Sequence, residues 1–317
     1  MTAVPERLRL RVAARREVAT DVVALDLAAT GDTPLPDWEP GAHLDLEVTP
    51  GTERQYSLVG TTRAGHWRIA VLREPDGRGG SAAVHDALAV GTEVLVGGPR
   101  NHFGFDPGRP AVFVAGGIGI TPLAAMIDAA ERSGTPWELH YAGRTRDRMA
   151  FVDDLVAAHP DRVTVAAADE GVRLDVPALL AEPRDAVVYC CGPRALMDAV
   201  EAAAAHWPAG SVRVERFEPA DAVDAPGEPF EVELTVTGVT VTVPADRTLL
   251  EVAEEAGAFV LSSCREGTCG TCETPVLEGA VEHRDTVLSP EEQADDRTMM
   301  VCVSRARRGC PRLVLEL

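Results

Sequence analysis

Four cysteines constrain this chain more than any other feature. Cys264, Cys269 and Cys272 stand in the spacing C-x4-C-x2-C, and Cys302 follows after a gap of 29 residues. This is the plant-type spacing, in which four thiolates hold a [2Fe–2S] cluster. Such a loop needs small residues, so that backbone N–H groups can approach the sulfurs and tune them. The segment SSCREGTCGTC supplies Ser262, Ser263, Gly267, Thr268, Gly270 and Thr271. A structural zinc site is the alternative, but zinc sites pair their cysteines in two short C-x2–4-C units. Here three ligands share one loop and the fourth stands alone. Cys310 falls outside the pattern and reads as a free thiol. Seven cysteines, five of them after residue 260, suggest a metal site and not a disulfide framework.

The rest of the composition excludes more than it proposes. A length of 317 residues leaves room for two or three domains of about 100–150 residues each. No apolar run approaches the roughly 20 residues that span a bilayer. The N-terminus, MTAVPERLRLRVAARREV, carries Arg but no apolar core of a signal peptide. A cytoplasmic protein with no membrane association is expected. The net charge is −20, and all 30 basic residues are Arg. Nucleic acid, whose phosphates need a basic face, is an unsuitable partner. The acidity fits steering toward a basic protein, and it equally fits plain solubility.

The hydrophobic rhythm changes twice along the chain. Residues 1–106 give short alternating runs (HLDLEVT, RQYSLVG, HWRIAVLRE, EVLVGG) separated by Gly and Pro, the pattern of an antiparallel β-barrel. One short helical segment, SAAVHDAL, interrupts them. Residues 107–220 alternate strand and helix, from AVFVAGG and TPLAAMIDAAERSG to AVVYCCG, PRALMDAVEAAAAHW and VRVERF. That alternation implies an α/β domain with a parallel sheet covered on both faces. Residues 218–229, EPADAVDAPGEP, read as a linker. Residues 230–317 begin with a hairpin, FEVELTVTGVTVTVP, and a helix, TLLEVAEEAGA. The cysteine loop follows, and MMVCVS and RLVLEL are expected as closing strands. The fold class is therefore multidomain α+β.

The segment SSCREGTCGTCETPVLEGAVEHRD…MMVCVSRA closely resembles the C-terminal ferredoxin domain of the phthalate dioxygenase reductase family, which includes the vanillate demethylase reductases. The resemblance covers nearly the whole chain. It implies a flavin-binding barrel over 1–106, an NAD(P)H-binding α/β domain over 107–220 and a β-grasp plant-type ferredoxin domain over 230–317. Arg54-Gln55-Tyr56-Ser57-Leu58 resembles the R-x-Y-S motif of the wider ferredoxin reductase superfamily. An Arg can pair with a flavin phosphate in bidentate fashion. Tyr56 can pack on the ring, and Ser57 can hydrogen-bond near its redox-active edge. Gly79, Gly80 and Ser81 open a short helix, where free N–H groups and the dipole suit an anion. The other reading is a simple turn with Ser81 as N-cap. The resemblance implies FMN, with FAD as the alternative. Asn101 in GPRNHF is placed near the same site, and His85 in a capping or packing role.

Gly116-Gly117-Ile118-Gly119-Ile120-Thr121-Pro122 forms a Gly-rich turn between strand and helix, where a pyrophosphate can approach backbone N–H groups. GGIGITP resembles the superfamily's dinucleotide loop, with Gly117, Gly119 and Thr121 as its contacts. Cys191-Gly192-Pro193, with Met197, resembles the superfamily's second loop. The resemblance sets Cys191 and Ser57 beside the hydride path, Cys191 as a positioning thiol and not a nucleophile. A buried apolar Cys191 is the other reading, and Cys190 should point to the opposite face. Arg144, after the second strand of this domain, could meet a 2′-phosphate, stack on adenine or be solvated. NADH is implied, and Arg144 keeps NADPH open. Phe217 resembles an aromatic near the flavin, with packing at a domain junction as the alternative.

The resemblance thus implies a reductase component. It oxidises NADH, splits the electron pair on FMN, and sends single electrons through a [2Fe–2S] cluster on Cys264, Cys269, Cys272 and Cys302. The acceptor implied is a terminal oxygenase, either a Rieske-type aromatic dioxygenase or demethylase, or a haem-thiolate monooxygenase. A monomer is expected. A stand-alone flavin or ferric reductase and a redox-sensing iron–sulfur module are the alternatives.

Overall fold

The computed structural model describes residues 7–31, 34–60, 65–75, 77–220, 223 and 227–317. The chain forms two compact units, Met1–Glu215 and Arg216–Leu317. Within the expected linker, residues 221–222 and 224–226 lie outside the described residues.

The first unit contains two sheets. Strands β1 (Leu8–Ala19), β2 (Val22–Ala29), β3 (His43–Thr49), β4 (Thr52–Ser57), β5 (His66–Leu72) and β6 (Glu93–Arg100) pair antiparallel in the order β4-β3-β6-β1-β2-β5. Leu58, just past β4, bridges Ile69 of β5, and the Val59 amide donates to the Arg68 carbonyl at 2.9 Å. These bonds close the sheet into the expected barrel, which removes its exposed edges. Helix α1 (Gly80–Ala87) buries Val84 in the barrel core with Leu25, Leu44 and Trp67.

The second sheet is wholly parallel, in the order β11-β10-β7-β8-β9. Its strands are β7 (Ala111–Gly116), β8 (Trp137–Gly143), β9 (Val163–Ala167), β10 (Val187–Cys191) and β11 (Val212–Glu215). Helices α2 (Ile120–Ser133), α3 (Val152–Ala158), α4 (Val176–Leu179) and α5 (Arg194–Ala203) connect them. Side chains alternate along a strand, so each strand feeds two cores. Phe113 and Tyr189 pack with α2, while Val112, Val188 and Cys190 pack with α4 and α5. The chain leaves β7 in one direction and arrives at β10 on its other side. The loops after these two strands therefore open at the sheet's topological switch point, where α/β sheets bind ligands.

Period-two alternation also joins the two halves. Val23, Leu25 and Leu27 of β2 face the barrel interior, whereas Val22 and Ala24 pack outward with Leu123 and Ile127 of α2. In β5, Trp67 and Ile69 point inward and Ala70 outward in the same way.

The C-terminal unit has a mixed sheet in the order β13-β12-β18-β14-β16. Its strands are β12 (Phe230–Leu234), β13 (Val239–Val243), β14 (Glu273–Glu278), β16 (Thr298–Met300) and β18 (Arg312–Leu315). The first and last, β12 and β18, run parallel at the centre, the β-grasp arrangement. Helix α6 (Leu249–Glu255) starts on a capping box, in which Thr248 and Glu251 satisfy each other's amides. It buries Leu249, Leu250, Val252 and Ala253. Two-residue strands β15 (Val281–Glu282) and β17 (Arg305–Ala306) pair beside the sheet, and α7 (Pro290–Asp295) caps on Ser289.

The expected strand MMVCVS is only half right. It ends at Met300, and the Val303 and Ser304 amides both turn back to the Met300 carbonyl, at 3.1 and 2.9 Å. Cys302 therefore sits in a turn, off the sheet, where its thiol is free to face the cysteine loop.

Candidate functional site

Three sets of residues carry the chemistry. The first is the end of β4 with the start of α1. The Arg54 side chain lies across Gly80: a Cβ there would come within 2.7 Å of Arg54 Cγ and 2.9 Å of Nε. Gly79 caps α1 in the left-handed region at φ 82°, with no side-chain cap bond. Gly is the residue that adopts this conformation freely. The two motifs are thus brought together, with a guanidinium beside a helix N-terminus. Ser57 is buried, and its hydroxyl has no hydrogen-bond partner among the described residues. Buried hydroxyls are rarely left unpaired, so this one fits an acceptor supplied by a bound group. Tyr56 is half-buried, and burial pushes its phenol up to about 12, opposed by Arg54.

Other residues expected here have different partners. Gln55 donates from Nε2 to Asp45 Oδ1 at 2.7 Å. The N-cap alternative for Ser81 is corrected: the N-cap is Gly79, two residues earlier, and Ser81 Oγ accepts from the Glu74 amide at 3.0 Å. Asn101 braces its own loop, donating to the Pro40 carbonyl at 3.1 Å and accepting from the Phe103 amide at 2.9 Å. His85 contacts the Val71 carbonyl at 2.9 Å.

The second set lies at the switch point. A Cβ on Gly119 would overlap the Cys191 carbonyl and lie 2.6 Å from the Gly192 nitrogen. One on Gly116 would meet Pro193 Cδ at 2.5 Å and Leu196 Cδ2 at 2.8 Å. The two loops therefore interlock backbone against backbone, which only glycine permits. Gly117 holds φ 53°, and Tyr141 donates its hydroxyl to the Gly117 carbonyl at 3.0 Å. Thr121 is buried and donates to the Ile118 carbonyl at 2.9 Å, so it stabilises the turn from within.

Cys191 is fully buried, and burial, with Glu215 beside it, pushes its thiol well above its ordinary value. A neutral thiol is a poor nucleophile, in line with a positioning role. Cys190 belongs to the opposite core. Glu215 pairs with Cys191 across the sheet. Its Oε2 is buried without a hydrogen-bond partner among the described residues, and burial lifts the carboxyl to about 8. Neither Tyr141 nor Glu215 was expected from sequence; both read as ordinary strand residues. Arg144 is exposed just past β8. Phe217, the second residue of the C-terminal unit, is 45% exposed.

The third set is the cysteine loop. Cys264 is held below its ordinary value by thiol contacts from Cys269 and then Cys302, and Cys272 is lowered by Cys302. Cys269 and Cys302 are raised. The four thiols thus lie close enough together to perturb one another. The Glu266 amide donates to Cys264 Sγ at 3.3 Å, and Thr271 Oγ1 lies 3.1 Å from Cys269 Sγ. Gly267 and Gly270 both take φ 72°. No group of three or more His, Cys, Asp or Glu side chains among the described residues is arranged to hold a metal ion as it stands. The fit to a binuclear cluster rests instead on the convergence of four thiols with backbone donors around them. All seven cysteines are free thiols, and Cys310 Sγ donates to the Arg312 carbonyl at 3.2 Å.

Residues 113–202 match the oxidoreductase NAD-binding domain family, and residues 232–307 match the 2Fe-2S iron-sulfur cluster binding domain family. Fold and site together define an NAD-binding iron–sulfur oxidoreductase. The chain is 43% identical over 311 residues to the toluene-4-sulfonate monooxygenase system reductase subunit TsaB1 of Comamonas testosteroni, covering 96% of this chain and 98% of that protein. It is similar to the solved phthalate dioxygenase reductase, described as a modular structure for electron transfer from pyridine nucleotides to [2Fe-2S], at 37% identity, 98% of each chain and a TM-score of 0.70. It also matches an intact type IV self-sufficient cytochrome P450 monooxygenase at 42% identity and a TM-score of 0.92, where all of this chain spans 42% of the longer one. The chain belongs to the phthalate dioxygenase reductase family, and is an electron-transfer oxidoreductase that uses a flavin, NADH and a [2Fe–2S] cluster. No helix among the described residues is long and apolar enough to cross a membrane.

Proposed function

We propose that this chain is a cytoplasmic, monomeric reductase that takes hydride from NADH onto FMN and feeds single electrons to a terminal oxygenase. Bound flavin supplies the exchange between two-electron and one-electron carriers, and the cluster supplies the one-electron outlet. The observation that carries the reading is the convergence of Cys264, Cys269, Cys272 and Cys302 in a chain that also holds the interlocked glycine loops.

Each proposed residue has a task its surroundings favour. Arg54 and the α1 amides offer positive charge to a flavin phosphate, with Gly79, Gly80 and Ser81 shaping the turn. The Ser57 hydroxyl is an unused donor for the ring, and Tyr56 offers an apolar face. Gln55 supports the strand through Asp45. Gly117, Gly119 and Thr121 form the pyrophosphate turn, and Gly192 lets the second loop close on it. Cys191, uncharged and rigidly held, positions the nicotinamide. Arg144 is the candidate contact for the adenosine end, and Phe217 for the flavin. The domain limits proposed are 1–106, 107–220 and 230–317.

The favoured acceptor is a Rieske-type aromatic dioxygenase or demethylase, by likeness to the dioxygenase and monooxygenase reductases. A haem-thiolate monooxygenase is the second reading, favoured by the match to a self-sufficient cytochrome P450. The purified protein should show flavin absorbance with broader iron–sulfur absorbance, and the released flavin should be FMN. In Cys269→Ser, NADH should still reduce the flavin while acceptor reduction fails. Unchanged acceptor reduction would remove the cluster from the path.

A further inference from the structure

Behind the cysteine loop lies a buried group of charges that the electron path does not use. Asp285 is central to it, with a fully buried side chain. Its Oδ2 accepts from the Val287 and Leu288 amides at 3.2 and 2.9 Å, and its Oδ1 accepts from Ser304 Oγ at 3.3 Å. The Ser304 hydroxyl in turn accepts from the Arg284 amide. Ser304 is two residues beyond Cys302. On the other side, the Thr286 amide donates to the Gly267 carbonyl at 2.9 Å. A Cβ on Gly267 would lie 3.0 Å from Asp285 Cα. Asp285 therefore stands between the two chain segments that carry all four cluster ligands, and is tied to both.

His283 is its ring neighbour, and a counter-charge when protonated. The side chain is 5% exposed, with Nδ1 3.6 Å from Asp285 Oδ1 and Nε2 3.3 Å from Asp296 Oδ1. Nε2 is within hydrogen-bond reach of Asp296, whereas Nδ1 has no hydrogen-bond partner among the described residues and meets Asp285 only as a near neighbour. The other charges nearby are already matched. Asp296 also accepts from Arg307 Nη2 at 3.1 Å, and Arg284 pairs with Glu282 at 2.6 Å. Burial opposes charge on Asp285, but the His283 contact and the Leu288 amide outweigh it and hold the carboxyl below its ordinary value.

We propose that Asp285 and His283 are positioning residues that lock the three-cysteine loop to the Cys302 turn and set the cluster's reduction equilibrium by opposed charges. The proposal rests on the cluster reading above. Reduction adds one negative charge to the site, and charges buried beside it are poorly screened. The Asp285 carboxylate then disfavours the reduced cluster, and His283, when protonated, favours it. Two merely structural residues would not act with opposite sign.

The test is a redox titration of the cluster's electron-paramagnetic signal in the holoprotein, at one acidic pH at which an imidazole carries its proton, for wild type, Asp285→Asn and His283→Gln. Asn keeps the shape and an acceptor for the two amides while removing the charge. Asp285→Asn should favour the reduced cluster about tenfold, which is ~59 mV upward for a one-electron couple. His283→Gln should shift it downward by a similar factor. Shifts in the same direction, or shifts under about twofold in both (~18 mV), would overturn the proposal. If Asp285→Asn fails to assemble its cluster, His283→Gln decides alone by the direction of its shift. A wild-type protein without iron or signal would overturn the cluster reading itself, an outcome distinct from an intact cluster that the variants leave unmoved.

Discussion

The carbonyl of Cys191 occupies the space in which Gly119 would carry a side chain. The dinucleotide turn after β7 and the thiol-bearing turn after β10 are thus one interlocked body. Gly119→Ala must push them apart, and overpacking of this kind costs about 1–3 kcal/mol. The variant should melt earlier and show a raised KM for NADH, while its visible spectrum keeps the flavin and cluster bands. An unchanged KM would show that the interlock does not shape the nicotinamide site.

Ser57 offers the opposite case, a buried hydroxyl that gives nothing to the fold as it stands. Ser57→Ala removes no hydrogen bond, only an unpaired buried hydroxyl, so apoprotein stability should not fall. Flavin reduction by NADH should slow by about ten- to a hundredfold, the scale of losing one well-placed donor. Rapid-mixing kinetics and thermal melts measure the two effects separately. A large stability loss with normal kinetics would return Ser57 to the core.

Glu215 links stability to pH. Burial raises its carboxyl from an ordinary 4.5 to about 8, so the native state retains a proton that the unfolded chain releases. Its contribution is whole below pH 4.5 and is lost as pH rises through about 8. The Tm of the wild type should fall relative to Glu215→Gln between about pH 5 and pH 9. A constant difference across that range would place the carboxylate in contact with solvent.

Charge steering is testable at the outlet. Residues 226–317 carry 17 acids against 8 Arg. Reduction of cytochrome c, a basic one-electron acceptor, should slow several-fold as salt rises from roughly 0.02 to 0.2 M, because screening shortens the reach of surface charge. A flat response would remove the acidic docking face.

Much of this was legible from residue spacing, because spacing is what cysteine loops and glycine turns depend on. Cys264, Cys269, Cys272 and Cys302 announce a cluster, alternation in β3 announces a strand, and the unbroken apolar run of β10 announces a buried one. What stayed hidden depends on tertiary neighbours. Glu215 looks like any strand carboxylate until β10 sets Cys191 opposite it. His283 and Asp285 look like solvated charges until the chain folds them behind Gly267. The expected strand through Cys302 failed because a ligand has to leave the sheet, and hydrophobicity alone does not register that turn. The alternative of Ser81 as N-cap does not hold because the helix start turns on one backbone angle, at Gly79.

Strand β2 serves two cores with alternate residues, Val23, Leu25 and Leu27 to one side and Val22 and Ala24 to the other. A barrel cut away from its α/β neighbour would expose one whole row, and a one-residue slip would exchange the rows. The barrel and the α/β sheet therefore depend on one another for their cores. The place to cut the chain without breaking a shared strand is after Glu215, where the first compact unit ends.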